Sequence, residues 1–217
     1  MNKSYKTLDI YPDDNKQIYL SKIEVACQKK ILKKFNKEKS VINKHNTYRE
    51  LLVGAHLRDN NWQVRYDCKV ENRTIDNPKT PDWCLFSDEG KIIEIIDVVS
   101  IHLKERLKNE MHKSIKLKKV WTHSKQMSIE DIARNIDKKA GAYKELSAVY
   151  PYTVAVYADF LTLIEPEQID YILNGDSALF KSRVNLCGLI FFIESNQQYQ
   201  FYYFKNENST LKSLIFD

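Results

Sequence analysis

The sequence is poor in the residues that form linkers and has no long apolar run. Glycine and proline occur only 5 times each among 217 residues, which leaves no room for a long low-complexity linker. No apolar run approaches the roughly 18 residues needed to span a bilayer, and the opening segment lacks the apolar stretch of a signal peptide. We therefore expect a cytoplasmic protein that does not insert into a membrane.

Several motifs of enzymes and metal-binding proteins are also missing. The sequence has no GxxxxGK[ST], GxGxxG or GxSxG pattern, so nucleotide-binding P-loops, dinucleotide sites and serine-hydrolase elbows have no support. The 5 histidines form no HxH or HExxH pair. The 4 cysteines form no CxxC pair, so reduced thiols are expected instead of a zinc site or a disulfide scaffold.

Positive charge is present but unevenly distributed around a net charge of +5. Residues 22–44 contain 8 lysines against 2 glutamates, and residues 102–125 contain 8 lysines or arginines against 2 glutamates. Residues 159–217 instead contain 8 acids against 4 bases. Clustered basic residues favour a polyanionic partner because they release counterions from phosphates. Solvated helix faces have the same composition, so charge alone does not decide between these two interpretations.

Hydrophobic periodicity predicts interleaved helices and strands. The predicted helices cover 15–37, 47–59, 103–119 and 129–149, and the predicted strands cover 62–70, 81–86, 91–99 and 152–160, with a final hairpin over 187–206. This order predicts an α/β fold with a mixed central β-sheet flanked by helices. Residues 1–45 are predicted to be an N-terminal helical extension, and residues 46–217 to be one continuous α/β domain.

The stretch "TPDWCLFSDEGKIIEIIDVVS" predicts a β-hairpin that carries several acids. The stretch matches the pattern PD followed by ExK if Asp82 is the aspartate of PD and Glu89 is the glutamate of ExK. Glu89 lies at the predicted tip, however, on the order of 20 Å from Asp82. If the chain reverses direction at that turn, Asp82 lies opposite Glu94 or Ile96. In both registers Asp82 and Glu94 lie on the same face of the hairpin. Glu94 is therefore the predicted partner of Asp82.

Two carboxylates on adjacent buried strands predict a cation site. Burying Asp82 and Glu94 is costly unless something neutralises them, and a divalent cation such as Mg²⁺ or Mn²⁺ does so with oxygen ligands. Such a site can generate hydroxide for phosphodiester hydrolysis. Alternatively, Glu94 pairs with a buried lysine or arginine, or faces solvent. Asp97 is expected to point to the opposite face and is assigned no chemistry.

Two further residues are candidates for the same site. Glu50 lies near the start of a predicted helix that can pack against the hairpin; alternatively, Thr47 and Glu50 form a capping box. Lys139 lies on the inward edge of the helix predicted over 129–149 and is a candidate general base or electrostatic partner. Lys138 is rotated about 100° away. Alternatively, both lysines extend from an amphipathic helix into solvent.

The order of the helix acid, "TPDWCLF", "KIIEIIDVV" and "NIDKKAGAY" resembles the PD-(D/E)xK, or restriction-endonuclease-like, nuclease superfamily. The resemblance implies a core in which Asp82 and Glu94 bind Mg²⁺, the backbone carbonyl of Ile95 adds a ligand, and Glu50 assists. An isoleucine stands at residue 96, where the motif lysine is expected. Some members carry that lysine on a following helix, and the similarity to this variant implies the role for Lys139.

The resulting hypothesis is a divalent-metal-dependent nuclease that hydrolyses phosphodiester bonds, in DNA rather than RNA. Its catalytic residues would be Asp82, Glu94, Lys139 and Glu50. The basic helix predicted over 103–119 would contact backbone phosphates through Lys113, Lys116, Lys118 and Lys119.

Alternatives of other functional classes stay open. An inactive protein with the nuclease fold would act as a nucleic-acid-binding module, and would show salt-sensitive binding without cleavage. The tyrosine-rich segment "YQFYYFKN" could instead form a protein-interaction surface, either for a homo-oligomer or for a partner in a defence or mobile-element system. The same segment also has the alternation of an ordinary edge hairpin.

Overall fold

The structure, a computed structural model, describes residues 13–70, 80–101, 129–158, 164–175, 179–195 and 198–216. The helices are α1 (Asp13–Lys22), α2 (Val25–Lys37), α3 (Val41–Asp59), α4 (Ile129–Ala142), α5 (Pro166–Asn174) and α6 (Leu179–Ser182), with a 3-10 turn at Leu146–Ala148. The strands are β1 (Gln63–Tyr66), β2 (Trp83–Phe86), β3 (Ile92–Ile101), β4 (Tyr152–Ala158), β5 (Gly188–Ser195) and β6 (Gln198–Lys205).

One mixed sheet forms the centre of the described part of the chain. Its six strands lie in sequence order from β1 to β6. β3 pairs in parallel with β4, and β4 with β5, whereas the other neighbours are antiparallel. Every residue of β4 is buried, as expected for a parallel strand that is covered on both faces. The predicted α/β class, with a mixed central sheet and flanking helices, is confirmed.

Helices cover both faces of this sheet. α1, α2 and α3 pack on one face, where Trp83, Ile96 and Phe192 are fully buried. α4 and α5 pack on the other face, over Ile95 and Phe191. The apolar stripe predicted for α4 is buried as expected, at Ile132, Ile136, Ala140 and Tyr143. The two cores therefore lie on opposite sides of β3, and each β3 side chain belongs to one of them.

The helix predicted over residues 15–37 is two helices. The helix is interrupted between Lys22 and Val25, where the backbone of Glu24 is extended with φ −59° and ψ 145°. The break lets α1 pack along α3 while α2 turns to contact β1 as well. Ile23, beside the break, and Cys27 in α2 are both buried in the same core as α3. The α1–α2 segment thus contributes to one of the two main cores.

α3 begins earlier than predicted. It starts at Val41, so Thr47 lies inside the helix and its Oγ1 donates to the carbonyl oxygen of Asn43 at 3.2 Å. The interpretation of Thr47 and Glu50 as a capping box is therefore wrong, because neither residue lies at a helix start. The predicted division between residues 45 and 46 falls within α3.

Some predictions fall outside the described residues. The basic helix predicted over 103–119, with Lys113, Lys116, Lys118 and Lys119, lies in the gap between residues 101 and 129. Within the described ranges, no helix is both long and apolar enough to cross a membrane.

Candidate active site

A β-bulge in the β2–β3 hairpin determines which carboxylates face each other. Near the turn, Phe86 pairs with Ile92. The register then shifts between Leu85 and Phe86, so that Leu85 pairs with Glu94. Because side chains alternate along a strand, a shift of one residue exchanges the faces. Glu94 therefore faces the α1–α3 side of the sheet, away from Asp82.

Glu94 is fully buried among neutral hydrogen-bond donors. Thr153 Oγ1 donates to Glu94 Oε1 at 2.6 Å, and Ser213 Oγ lies 2.8 and 2.9 Å from Oε1 and Oε2. The backbone N–H of Leu214 donates to Oε2 at 3.2 Å. Burial raises the pKa of Glu94 to about 7, although these hydrogen bonds oppose the shift. The predicted pairing of Glu94 with Asp82 is wrong; Glu94 instead fastens the C-terminal segment to the sheet.

Asp97 occupies the position opposite Asp82. Trp83 pairs with Ile96, so the next step of the ladder brings Asp82 to Asp97. The Asp97 carboxylate raises the pKa of Asp82, and Asp82 Oδ2 accepts from the N–H of Val98 at 2.8 Å. Asp97 is 1% exposed. Its orientation away from Glu94 agrees with the prediction, and an acid within an apolar strand is the sequence signal that could have identified it.

α4 brings Lys139 to this carboxylate pair. Lys139 Nζ lies 2.7 Å from Asp97 Oδ2, and its side chain is 32% exposed against 2% for that of Asp97. The hydroxyl of Tyr152 donates to the Lys139 carbonyl oxygen at 3.4 Å, which ties α4 to β4. Lys138 is exposed. The position predicted for Lys139, on the inward edge of its helix, therefore does bring it to a strand acid, although that acid is Asp97.

The electrostatic environment of Asp82 is unfavourable for a second negative charge. Burial raises the pKa of Asp82 well above its ordinary value, and the neighbouring Asp97 carboxylate raises it further. The Val98 amide and the Lys139 ammonium act in the opposite direction. A buried like-charge pair of this kind is stabilised by any additional cation, because a cation removes the need for one acid to hold a proton.

Two stacked tyrosines, Tyr143 and Tyr152, lie beside the two acids Asp82 and Asp97. The rings of Tyr143 and Tyr152 have centroids 5.2 Å apart and an interplanar angle of 27°. The Tyr143 hydroxyl donates to the carbonyl oxygen of Thr80 at 3.1 Å and also contacts the Asp97 carboxylate. Burial, followed by the charges of Asp97 and Asp82, raises the pKa of Tyr143, so its phenol remains a hydrogen-bond donor.

Glu50 lies on the other side of Asp82. Lys34 Nζ lies 2.9 and 2.7 Å from the two Glu50 carboxylate oxygens, and the Tyr66 hydroxyl donates to Oε2. Burial and the charge of Asp82 raise the pKa of Glu50 to about 7, against the effect of Lys34 and Tyr66. The charge of Asp82 thus acts on Glu50, while the predicted role of Glu50 as an auxiliary acid stays a prediction. Lys34 and Tyr66 are not identified from the sequence as partners of Glu50, because each fits the ordinary pattern of the amphipathic helix or strand that contains it.

Three residues of the hairpin have no place in the site. Glu89 lies in the exposed turn and pairs with Lys91 at 2.6 Å, so the apparent ExK match belongs to the turn, as predicted. Ile96 faces the α1–α3 core. Ile95 lies inside the sheet, paired with Cys84 and Tyr152. Its predicted role as a carbonyl ligand depended on Glu94 facing Asp82 and loses its basis with that pairing.

The available ligands for a metal are the oxygens of Asp82 and Asp97. Across the described ranges, no three His, Cys, Asp or Glu side chains come together as a metal site. Two carboxylates are nevertheless sufficient for Mg²⁺, which is commonly held by one or two carboxylates together with water and substrate phosphate. The hard oxygen donors of the pair therefore fit a magnesium or manganese ion.

Comparisons with known proteins give one structural similarity. No family model and no curated protein matches the sequence. The structure is similar to a solved "CdiA-CT/CdiI toxin and immunity complex from Burkholderia pseudomallei", with a TM-score of 0.44 and 13% sequence identity. The similarity covers 76% of this chain and 90% of that chain. Similarity at this level establishes neither a shared fold nor a shared activity.

Proposed function

We propose that this chain is a divalent-metal-dependent nuclease whose active site consists of Asp82, Asp97 and Lys139, with Glu50 as an auxiliary acid. The observation that carries the proposal is the position of Asp82 opposite the buried Asp97, with Lys139 Nζ 2.7 Å from Asp97 Oδ2. A carboxyl group with a raised pKa, like that of Asp82, that lies beside a second acid and a lysine and is partly open to solvent is typical of a catalytic site. Asp97 takes the role that the sequence-based hypothesis gave to Glu94.

The same arrangement supports the resemblance to the PD-(D/E)xK superfamily. With Asp97 as the strand acid, the motif lysine would stand at Val99, two residues later. Val99 cannot supply a charge, but Lys139 supplies one from α4 to Asp97 itself. A lysine relocated to a following helix is the variant that "NIDKKAGAY" resembles.

The roles of the residues follow from their chemistry. Asp82 and Asp97 would hold a divalent cation, which supplies a water of lowered pKa and neutralises charge that develops on the phosphate. Lys139 would orient an attacking water or stabilise the phosphate oxygens through its ammonium group. The stacked tyrosines keep the inner side of the pair closed to solvent, which strengthens each electrostatic contact.

Nucleic acid is the proposed substrate, with DNA preferred to RNA on the strength of the family resemblance. The lysine-rich α2 borders the site through Lys34, which is coupled to Asp82 as well as to Glu50. The excess of basic residues over 102–125 suits a phosphate backbone.

A cleavage assay tests the proposal. Purified protein is incubated with single- and double-stranded DNA and RNA in Mg²⁺, Mn²⁺ or EDTA. Wild type should cleave only with metal, and Asp82→Asn should lose about 100-fold or more of the rate because a metal ligand is removed. Asp88→Asn, in the exposed turn, is the matched control and should keep full activity.

Two results would contradict the proposal. Equal cleavage by wild type and Asp82→Asn would place the activity elsewhere. Salt-sensitive binding of an oligonucleotide without cleavage would instead support an inactive nucleic-acid-binding module on the same fold. A parallel melting experiment tests the metal site itself. If Asp82 binds the metal, Mn²⁺ should raise the Tm of wild type and leave that of Asp82→Asn unchanged.

A further inference from the structure

α2 supplies a second lysine to the acidic centre. Lys34 Nζ lies 2.9 Å from Glu50 Oε1 and 2.7 Å from Glu50 Oε2, so one ammonium group bridges both carboxylate oxygens. The side chain of Glu50 is 9% exposed and that of Lys34 is 41% exposed. A nearly buried carboxylate is thus held by a cation that comes from the solvent side.

The Glu50 carboxylate is fixed by more than this ion pair. The Tyr66 hydroxyl donates to Oε2, and the Lys34 ammonium lies 5.7 Å from the centroid of the Tyr66 ring. The indole N–H of Trp83, the residue that follows Asp82, donates to the Glu50 backbone carbonyl oxygen at 2.7 Å. Glu50 is therefore anchored at its side chain by α2 and β1, and at its backbone by β2.

The charges show that this network is part of the same electrostatic unit as the active site. The charge of Asp82 acts on Glu50, Lys34 and Tyr66. Burial lowers the pKa of Lys34, but Glu50, Asp82 and Asp67 together more than offset this, so the pKa of Lys34 is raised and the lysine remains charged. Burial and the Glu50 charge also raise the pKa of Tyr66, which remains a donor.

We infer that Lys34 is a positioning residue of the proposed nuclease site, which holds the Glu50 carboxylate in place beside Asp82 and acts through Glu50 alone. The inference rests on the proposed function. It gives α2, which belongs to the segment predicted as an extension, an indirect part in the active site. It also distinguishes Lys34 from the neighbouring exposed Lys33, for which no such contact with the site is seen.

A double-mutant cycle on the cleavage rate tests this inference. Lys34→Met should lower kcat by roughly 10- to 100-fold with little change in KM, because a displaced carboxylate costs rate and not substrate affinity. In a Glu50→Gln background, Lys34→Met should cause no further loss, since the residue through which it acts is already altered. Lys34→Arg, which can donate to both carboxylate oxygens, should recover most of the rate. Lys33→Met is the matched control and should leave the rate unchanged.

A spectroscopic measurement gives a readout that does not require activity. The ¹³C resonance of the Tyr66 ring carbon that bears the hydroxyl reports its hydrogen bond to Glu50. Lys34→Met and Glu50→Gln should shift this resonance, and Lys33→Met should not.

The outcomes separate the inference from the proposed function. Wild-type cleavage combined with equal losses from Lys34→Met in both backgrounds would overturn the role of Lys34 and leave the proposed function intact. An unchanged Tyr66 resonance in Lys34→Met would also overturn that role. If wild type fails to cleave any substrate while the Tyr66 resonance shifts as expected, the proposed function is overturned and the control of Glu50 by Lys34 stands.

Discussion

Lys139 of α4 and Asp97 of β3 form an ion pair with 2.7 Å between Nζ and Oδ2, in which Asp97 is buried and Lys139 is partly exposed. Asp82 is a second carboxyl group beside this ion pair, and the charge of Asp97 raises its pKa. A structural ion pair needs one acid for one base. Burial and Asp97 raise the pKa of this additional acid, and the proposed divalent cation would neutralise it.

Removing the Lys139 charge should abolish most activity under conditions where the variant is folded. Lys139→Met keeps the aliphatic stem but loses the ammonium group, so the cleavage rate should fall by about 100-fold or more. Lys138→Met, on the exposed side of α4, should cleave like wild type. Steady-state rates of the two variants make the comparison. Equal rates would show that Lys139 serves only the ion pair with Asp97.

Asp82→Asn should stabilise the metal-free protein. The amide oxygen can still accept from the Val98 N–H, the amide nitrogen can donate to Asp97, and the Asp97–Lys139 ion pair is retained. Loss of the like-charge repulsion should raise the free energy of unfolding by roughly 1 kcal/mol at pH 8 in EDTA, as often occurs when a catalytic group is neutralised. Urea denaturation provides the measurement. A clear loss of stability would mean that the Asp82 carboxylate serves the fold.

Glu94 should make the stability of the protein fall as pH rises. Its pKa is about 7 in the folded protein and 4.5 for an unperturbed glutamate, so the folded state binds its proton more tightly than the unfolded chain does. The contribution of Glu94 to stability is therefore complete below about pH 4.5 and is lost as pH rises to about 7. Between these limits the wild type should lose roughly 3 kcal/mol more than Glu94→Gln, at about 1.4 kcal/mol for each pKa unit. Urea unfolding curves at a series of pH values test this, and parallel pH profiles for the two proteins would contradict it.

Gly54→Ala should disturb the helix that presents Glu50. A Cβ added at Gly54 would lie 2.0 Å from Cζ2 of the Trp83 indole, which is fully buried and cannot withdraw freely. We expect a loss of about 2 kcal/mol in the free energy of unfolding and a change in tryptophan fluorescence. Gly141→Ala is the control, because the nearest atom outside its own helix backbone and chain neighbours, Arg183 Nη2, is 3.8 Å away. That variant should gain about 0.5 kcal/mol from helix propensity, and equal losses from the two substitutions would contradict the steric account.

The fold class could be predicted from the sequence because its signals are local. The two-residue alternation at Val64 and Tyr66 is a half-buried strand, and the stripe of α4 is buried as its spacing indicates. The same stripe also determines that the side chain of Lys139 lies on the inward edge of α4. The helix bounds were less accurate, since the break before Val25 and the start at Val41 depend on how α1, α2 and α3 pack together.

The pairing of the acids could not be predicted, because it depends on one bulged residue. A regular hairpin that reverses at the predicted turn brings Asp82 to the face of Glu94. The irregularity between Leu85 and Phe86 shifts the ladder by one residue and brings Asp82 to Asp97. No residue of "WCLFSD" marks a bulge, so the sequence supports both registers equally. The contacts of Lys34 with Glu50 likewise arise from packing between helices that are distant from the hairpin in sequence.

The most direct test of the central claim compares Asp97→Asn with Glu94→Gln in the same metal-dependent cleavage assay. Both residues are buried acids of β3, three positions apart, and they lie on opposite faces of the sheet. An active site at Asp82, Asp97 and Lys139 predicts that Asp97→Asn loses about 100-fold or more of the cleavage rate. Glu94→Gln should remain within a few-fold of wild type under conditions where both variants are folded. Retained cleavage by Asp97→Asn, together with its loss in Glu94→Gln, would contradict the assignment.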